Sequence, residues 1–406
     1  MTLFHTDDNG EPMPSISRRR SRAERRRSLG IGLLAGSVLV ALTLAVVPSP
    51  YVVEQPGPVF DTLGTVTIDT PVEPSSETQA GATGDSAAPA ETQKTKIPLI
   101  TISGADTFST TGALDLLTVS VLGNPDNLPS WMEIVGAWFD PSKAVVPATA
   151  IFPPNESQKE REAANTTLMI DSQQDAIAAA LTERGYDVVT GIDVAGFSES
   201  SPAEGVLQPG DVITSFAGTM VNSVQQLRDA VAASGAGIAA TINFLRQGVA
   251  TEGTVTPIDS NGNAIIGIGA KAKYDFPFDV SIRLDDVGGP SAGMMFALGI
   301  IDKLTPQNIS GGAHVAGTGT IDSSGNVGPI GGIRQKLYGA KASGATVFLA
   351  PSANCDEVVG HIPDGLNVYA VATLADSLAV LAYVEKHGDT AGEMNVTTGA
   401  LPTCQN

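Results

Sequence analysis

Residues 29–47, LGIGLLAGSVLVALTLAVV, are 19 consecutive residues without a charge, directly behind the cluster RRRSRAERRRS. An apolar helix of about 20 residues is long enough to cross a bilayer, and nothing constrains the rest of a chain more than such a span. Residues 1–28 carry seven arginines against four acids. That excess predicts an N-terminus kept in the cytoplasm and everything after the span outside it. The rival reading is a cleaved signal peptide, which has a shorter apolar core and a small-residue cleavage site. Here the run ends in Val46-Val47-Pro48-Ser49-Pro50 with no Ala-x-Ala. A retained membrane helix is therefore expected, and both readings put the chain after about Pro50 outside the cytoplasm.

The 406 residues suffice for two or three domains, and 42% hydrophobic content can fill their cores. The net charge of −20 is unevenly spread, and the exported part holds 16 basic against 39 acidic residues. An acidic body lacks the basic patches that meet phosphates, which argues against nucleic acid as a partner. The two cysteines, Cys355 and Cys404, both lie in that part. An oxidising compartment permits a disulfide between them, which would tether the C-terminal tail.

YVVEQPGPVFDTLG follows the span as a Pro/Gly-rich approach. Residues 70–96 are rich in Ser, Thr, Ala, Pro and Glu, and they read as a flexible linker because they have too few large apolar side chains for a core. IPLITISG and GALDLLTVSVLG alternate as paired strands. Residues 156–184 read as a helix ended by Gly185. Within 187–257, DVVTGIDVAG reads as a strand pair, Asn222 caps a helix over SVQQLRDAVAA, and GIAATINFLRQG closes as a strand. The segment SPAEGVLQPGDVI, with that helix behind it, resembles PDZ domains over about 70 residues. The resemblance implies docking of an extended peptide as an added strand. The apolar-Gly-apolar loop that clasps a C-terminal carboxylate has only a weak counterpart, GYDVV at 185–189.

Chemistry concentrates in DDVGGPSAGMMFALGII, residues 285–301. PFDVSIRL before it reads as a strand, and AGMMFALGIIDKL after Ser291 reads as an apolar helix stopped at Thr305-Pro306. Ser291 at that helix mouth is either an N-cap or a nucleophile. Gly288, Gly289 and Gly293 let backbone approach a substrate and aim N–H groups at an oxyanion. GPSAG also fits the Gly-x-Ser-x-Gly elbow of α/β-hydrolases, with His361 or His387 nominated as base, but the strands that precede an elbow are missing. A lysine can serve instead if burial leaves it neutral. GPIGGIRQKLYGAKASGATVFLAP supplies two, Lys336 and Lys341, on a helix whose Ile333, Leu337 and Ala340 share a face, before a buried strand.

GGPSAGMMFAL, then AGTGTIDSSGNVGPIGG, then the lysine of GPIGGIRQK resemble in order the proteolytic domain of Lon-type peptidases, over roughly residues 265–385. With the span and the PDZ-like unit, the chain resembles the membrane-anchored PDZ–Lon-like peptidases of bacteria. The resemblance implies a Ser-Lys dyad: Ser291 as nucleophile, Lys336 rather than Lys341 as base, and Thr318 orienting the ammonium and helping to keep it neutral. The acidic residue that ATP-dependent Lon enzymes carry just before Gly-Pro-Ser is replaced by Gly288, and Asp285 and Asp286 stand a little earlier. No Gly-x4-Gly-Lys-Ser/Thr occurs, so ATP-independent action is expected, with no cofactor and no metal.

The expected fold is α+β: a Lon-like mixed sheet with helices, interrupted by a PDZ-like domain and led by one transmembrane helix. The divisions are a cytoplasmic segment (1–28), the anchor (29–48), a juxtamembrane segment and linker (49–97), the N-terminal part of the Lon-like region (98–186), the PDZ-like domain (187–257), the proteolytic domain (258–385) and a tail (386–406). The expected partners are polypeptide substrates, docked by the PDZ-like domain, and the membrane. Lon-type domains tend to form rings, so the resemblance admits a homo-oligomer. The competing reading is an inert PDZ scaffold or adaptor that presents peptides to other proteases.

Overall fold

The computed structural model describes residues 22–71, 92–154, 156–260, 262–284, 287–388 and 401–404. The first arginines, the middle of the expected linker (72–91), Asp285 and Asp286 lie outside the described residues. Helix α1 (Arg22–Val46) leads the chain. The side chains at 39–42 are not among those described, and among the described residues no helix is long and apolar enough to cross a membrane.

Strands β1 (Tyr51–Asp61), β2 (Thr65–Pro71), β3 (Thr92–Pro98), β4 (Ile100–Ser103) and β5 (Ala113–Leu122) come next. Then follow α2 (Trp131–Trp138), β6 (Ala144–Pro147), the single turn α3 (Ala148–Ile151) and the long α4 (Gln158–Glu183). The middle of the chain holds β7 (Val189–Phe197), β8 (Val212–Phe216), β9 (Thr219–Met220), α5 (Val224–Ser234), β10 (Ala240–Arg246) and β11 (Val249–Val255). A hairpin of β12 (Ile258–Ser260) and β13 (Asn263–Ile265) leads to β14 (Ile268–Asp275). The last third contains β15 (Asp279–Ile282), α6 (Gly293–Lys303), β16 (His314–Gly317), β17 (Thr320–Ile321), β18 (Val327–Gly328) and α7 (Ile333–Ser343). It ends with β19 (Val347–Pro351), the short α8 (Cys355–Val358), β20 (Asn367–Val371) and α9 (Leu374–His387).

One mixed sheet runs β20-β19-β16-β5-β1-β6, parallel on the β20 side and antiparallel from β5 to β6. Its strands come from both sides of the middle segment, and the buried cluster on one face mixes Leu99, Leu114 and Ile177 with Met295, Ile300 and Val315. The middle segment is thus an insertion into one α/β unit, as strand order suggests. A second sheet, β11-β10-β8-β7-β14, packs on α5 around Ile192, Phe216, Leu227 and Phe244.

Several expectations need correction. Tyr51–Asp61 is no approach segment but a central strand. Its Pro56-Gly57-Pro58 breaks the alternation that marks a strand, and the sheet absorbs it at a register shift between Pro56 and Val59, where proline's missing N–H does no harm. The ends of the expected linker are strands too, β2 against β3. IPLITISG does not pair with GALDLLTVSVLG: β4 pairs with β15, Ile100 opposite Ile282, while β5 lies between β1 and β16. DVVTGIDVAG is one strand, β7, not two. The cap of α5 is Ser223, whose Oγ accepts from the Gln226 N–H at 3.1 Å, and Asn222 instead donates its N–H to the Gln226 side chain. The second sheet also runs past residue 257, because β14 pairs with β7 along eight positions. GYDVV at 185–189 is not a groove loop: Gly185 takes a left-handed φ of 79° just beyond α4, and Tyr186 packs edge-on to Phe278. Cys355 and Cys404 form a disulfide, and the Ala370 N–H donates to Pro402, so residues 401–404 return to β20.

Candidate active site

Ser291 sits just before α6. The N-cap position belongs to Ala292, which makes no side-chain cap bond, so the Ser291 hydroxyl is free of the capping role. Two elements fix its backbone, the connection after β16 and helix α4. The Ser291 carbonyl accepts from the Gly319 N–H at 2.9 Å and from the Thr318 hydroxyl at 2.9 Å. Helix α4 holds the preceding turn: Ser172 Oγ donates to the Pro290 carbonyl at 2.9 Å, and the Gly289 N–H donates to the Asn165 carbonyl at 3.2 Å. Glycine is needed where these elements meet, since a Cβ on Gly288 would stand 2.8 Å from the Asn165 Cβ.

Lys336 reaches the same point from the second turn of α7. That helix starts after Gly332, at a left-handed φ of 68°, and buries Ile333, Leu337 and Ala340 against the sheet. Lys336 is 2% exposed. Its Nζ lies 2.8 Å from Ser291 Oγ and 2.9 Å from Thr318 Oγ1. No carboxylate pairs with it among the described residues. Burial lowers its pKa from the ordinary lysine range to about 7. Desolvation accounts for that shift, and Thr318 does not. Thr318 is itself fully buried, and its single proton goes to the Ser291 carbonyl, so its oxygen can only accept from Lys336. Ser291, Lys336 and Thr318 are thus brought together. Lys341 points elsewhere, toward the Gly365 carbonyl at 3.5 Å. His361 contacts the Val359 carbonyl and His387 the Tyr383 carbonyl, so neither serves Ser291.

A groove of about 390 Å³ opens over the pair, lined by Leu117, Val119, Met169, Val287, Ser291 and Lys336 among others. It shares Met169, Val287 and Gly288 with a larger cleft of about 830 Å³ between α4 and residues 281–284 and 287–288. Strand β16 covers its edge of β5 only from Ala113 to Leu116, which leaves Leu117–Leu122 unpaired along the groove. Among the described residues, the N–H groups of Ser291 and Ala292 donate to no protein acceptor.

A third cavity, about 330 Å³, lies between α5 and the start of β14, lined by Val224, Leu227, Val231, Ile266 and Ile268. Sequence reasoning missed its loop, although the signal, IIGIG at 265–269, is visible in the chain. The loop lies after the last hairpin of the unit rather than before its first strand. The Ile266 and Gly267 carbonyls are taken by the Ser201 hydroxyl at 2.9 Å and the Ser198 N–H at 2.9 Å. Asn165 and Ser172 were missed as well, since nothing in a polar helix marks which residues meet a distant loop.

Residues 285–383 match the Lon protease (S16) C-terminal proteolytic domain. Lon protease 2 of Herpetosiphon aurantiacus is 32% identical over 147 residues, 34% of this chain and 18% of that protein. Lon protease of Lachnoclostridium phytofermentans is 38% identical over 93 residues, 22% of this chain and 11% of that protein. Lon protease 1 of Bacillus subtilis is 34% identical over 106 residues, 26% and 13% respectively. The chain spans 18% or less of the length of these curated relatives. Among solved structures it is similar to the PDZ domain of an SdrC-like protein from Listeria monocytogenes, with 27% identity over 20% of this chain and 86% of that one, at a TM-score of 0.19. The corresponding Listeria innocua domain gives 29% identity, 20% and 92% coverage, and a TM-score of 0.19.

Proposed function

From the similarity of residues 285–383 to a Lon-type serine peptidase domain, we propose that the chain is an ATP-independent serine endopeptidase with a Ser-Lys dyad. It is anchored in the cytoplasmic membrane by residues 29–47 and acts outside the cytoplasm on exported or membrane-associated polypeptides. The observation that carries the dyad is a lysine 2% exposed whose Nζ has a serine hydroxyl at 2.8 Å and no carboxylate partner among the described residues.

A neutral amine has two N–H donors and one lone pair. One N–H of Lys336 is directed to Thr318 Oγ1, which leaves the lone pair for the Ser291 proton. Ser291 Oγ attacks the scissile carbonyl as its proton passes to Nζ, and the ammonium then protonates the leaving amine. Water repeats the cycle on the acyl-enzyme. The N–H groups of Ser291 and Ala292 are the donors for the oxyanion. The substrate lies extended beside the unpaired edge of Leu117–Leu122. The PDZ-like unit holds a second extended segment along β14, with an apolar end in the pocket beside Ile266-Gly267-Ile268. Without a motor, only unfolded or flexible stretches reach the groove.

The test is cleavage of an unfolded protein by the full chain in detergent, without ATP, across neutral and basic pH. Wild type is expected to cleave, with a rate that rises through about pH 7 as Lys336 loses its proton. Ser291→Ala and Lys336→Met should each lose roughly 10⁴-fold or more. Equal rates for all three would refute the dyad. A folded but inactive wild type that still binds peptides would favour the scaffold reading.

A further inference from the structure

Helix α2 has two faces. Inward, Ile134 and Ala137 are buried against Val53 and beside Tyr51 and Val145. Outward, Met132, Trp138 and Phe139 are exposed by 45%, 60% and 85%. A capping box of Ser130 and Glu133 secures the start of the helix, and Phe139 caps its end. Leu122, opposite Val53 at the neighbouring end of β5, is 40% exposed.

The position of this surface says what covers it. The start of α2 is stitched to the exit of α1: the Trp131 N–H donates to the Val47 carbonyl, the Ser49 N–H donates to Pro129, and Pro48 bridges Ser130. Helix α2 also packs against α1. Val46 and Val47 at that exit are 78% and 43% exposed, and Ile31, Leu33, Leu34 and Val38 along α1 are at least half exposed. An exposed tryptophan and phenylalanine therefore stand beside the end of the uncharged run 29–47, where the proposed anchor would leave the bilayer. Aromatic side chains favour that level, with an apolar body in the acyl region and, for Trp, an N–H at the headgroups. The chain is acidic, so attraction to anionic headgroups plays no part.

We propose that Met132 and Trp138 of α2, with Phe139 just past its end, form a foot inserted into the outer headgroup–acyl boundary, which seats the catalytic unit on the bilayer. The foot rests on the membrane-anchor reading proposed for residues 29–47. Beside the anchor, it limits tilting of the catalytic unit and keeps it close to the membrane surface.

Trp131 and Trp138 are the chain's two tryptophans, so fluorescence reads this helix directly. The full chain carrying Trp131→Phe leaves Trp138 as sole reporter. It is reconstituted into phosphatidylcholine vesicles containing lipids brominated near either the headgroup end or the methyl end of the acyl chain. Flotation of the vesicles is scored separately, and unsubstituted protein is the control for folding. The foot predicts co-flotation and roughly a halving of Trp138 emission by the shallow quencher, with a smaller loss from the deep one. Cleavage of a soluble unfolded protein should survive Met132→Ser/Phe139→Ser, while the shallow quenching falls. Flotation without lipid quenching, with Trp138 open to aqueous iodide, overturns the foot and leaves the anchor standing. Flotation with Trp138 shielded from both lipid and iodide assigns the patch to contact between copies and also overturns it. Failure to float overturns the anchor and the foot together.

Discussion

Lys336 shows how one buried charge can govern both chemistry and stability. Its folded pKa of about 7 lies below the ordinary lysine range because the ammonium is stripped of water, so the folded state binds its proton less readily than the unfolded chain does. Above the unfolded pKa both states are neutral and the group costs nothing. As pH falls from there the penalty grows, and it is complete below about 7, where both states hold the proton. Lys336→Met keeps the stem and removes the charge. It should abolish cleavage yet stabilise the fold by on the order of 2–4 kcal/mol at mildly acid pH, with the gain shrinking toward basic pH. Thermal melts across pH check this, and a variant that melts lower than wild type at every pH would contradict burial as the source of the shift. The trio of Ser291, Lys336 and Thr318 was legible through the resemblance of its ordered motifs to Lon-type proteolytic domains, whereas the residues alone left Lys336 and Lys341 open. Thr318's actual geometry was not legible. Only the fold reveals that its proton is committed to the Ser291 carbonyl.

At the scale of elements, α4 and α6 form the seam that holds Ser291. Gly293, the first residue of α6, has no room for a side chain: a Cβ there would stand 2.8 Å from Ser172 Oγ, 2.9 Å from Ile321 Cγ2 and 3.2 Å from the Ile321 backbone nitrogen. The hydroxyl of Ser172 is already fixed by its bond to Pro290, and the Ile321 backbone cannot rotate away. Gly293→Ala should therefore push α6 from α4, cost about 1–3 kcal/mol, and lower kcat more than it raises KM, because Ser291 moves relative to Lys336. Chemical denaturation and steady-state kinetics on the same preparation check both parts. Unchanged kcat would mean that the seam yields without moving Ser291. Helix α4 was readable because good helix formers ending at a glycine are a local signal, and Gly185 does lie just past its end, whereas α2 and α9 were not anticipated. Strand partners were not readable in the same way. β4 sits shortly before β5 yet pairs with β15, and β1 hides behind Pro56-Gly57-Pro58, because pairing is decided by which apolar faces meet in the whole fold.

Across the whole molecule, the inserted unit meets the α/β unit along α4 and at the turn after β17. The Tyr274 hydroxyl of β14 donates to Asp175, Lys271 lies 3.4 Å from Asp171, and the Gln226 side chain of α5 donates to Ser324 at 3.2 Å. The insertion was legible from chain order, but this contact was not, since its residues are ordinary polar ones far apart in the chain. Asp175 carries the cost of the contact. Burial raises its pKa to about 6, against the Tyr274 hydrogen bond that lowers it, with Asp171 and Asp322 adding repulsion. The folded state thus holds a proton that the unfolded chain has already released. Stability from this group is full below the unfolded carboxylate range and is lost as pH rises through about 6. Asp175→Asn keeps an acceptor for Tyr274 and removes the charge. It should stabilise the protein by about 1–2 kcal/mol at pH above 6, a figure reduced for the partial exposure of the site, and should change nothing in strongly acid solution. Because α4 also holds Pro290 through Ser172, the same substitution tests whether the two units share one cooperative unfolding step. A single transition that moves as a whole, followed by calorimetry across pH, is the expected outcome. Two transitions, with only one responding to Asp175→Asn, would show that the inserted unit unfolds by itself.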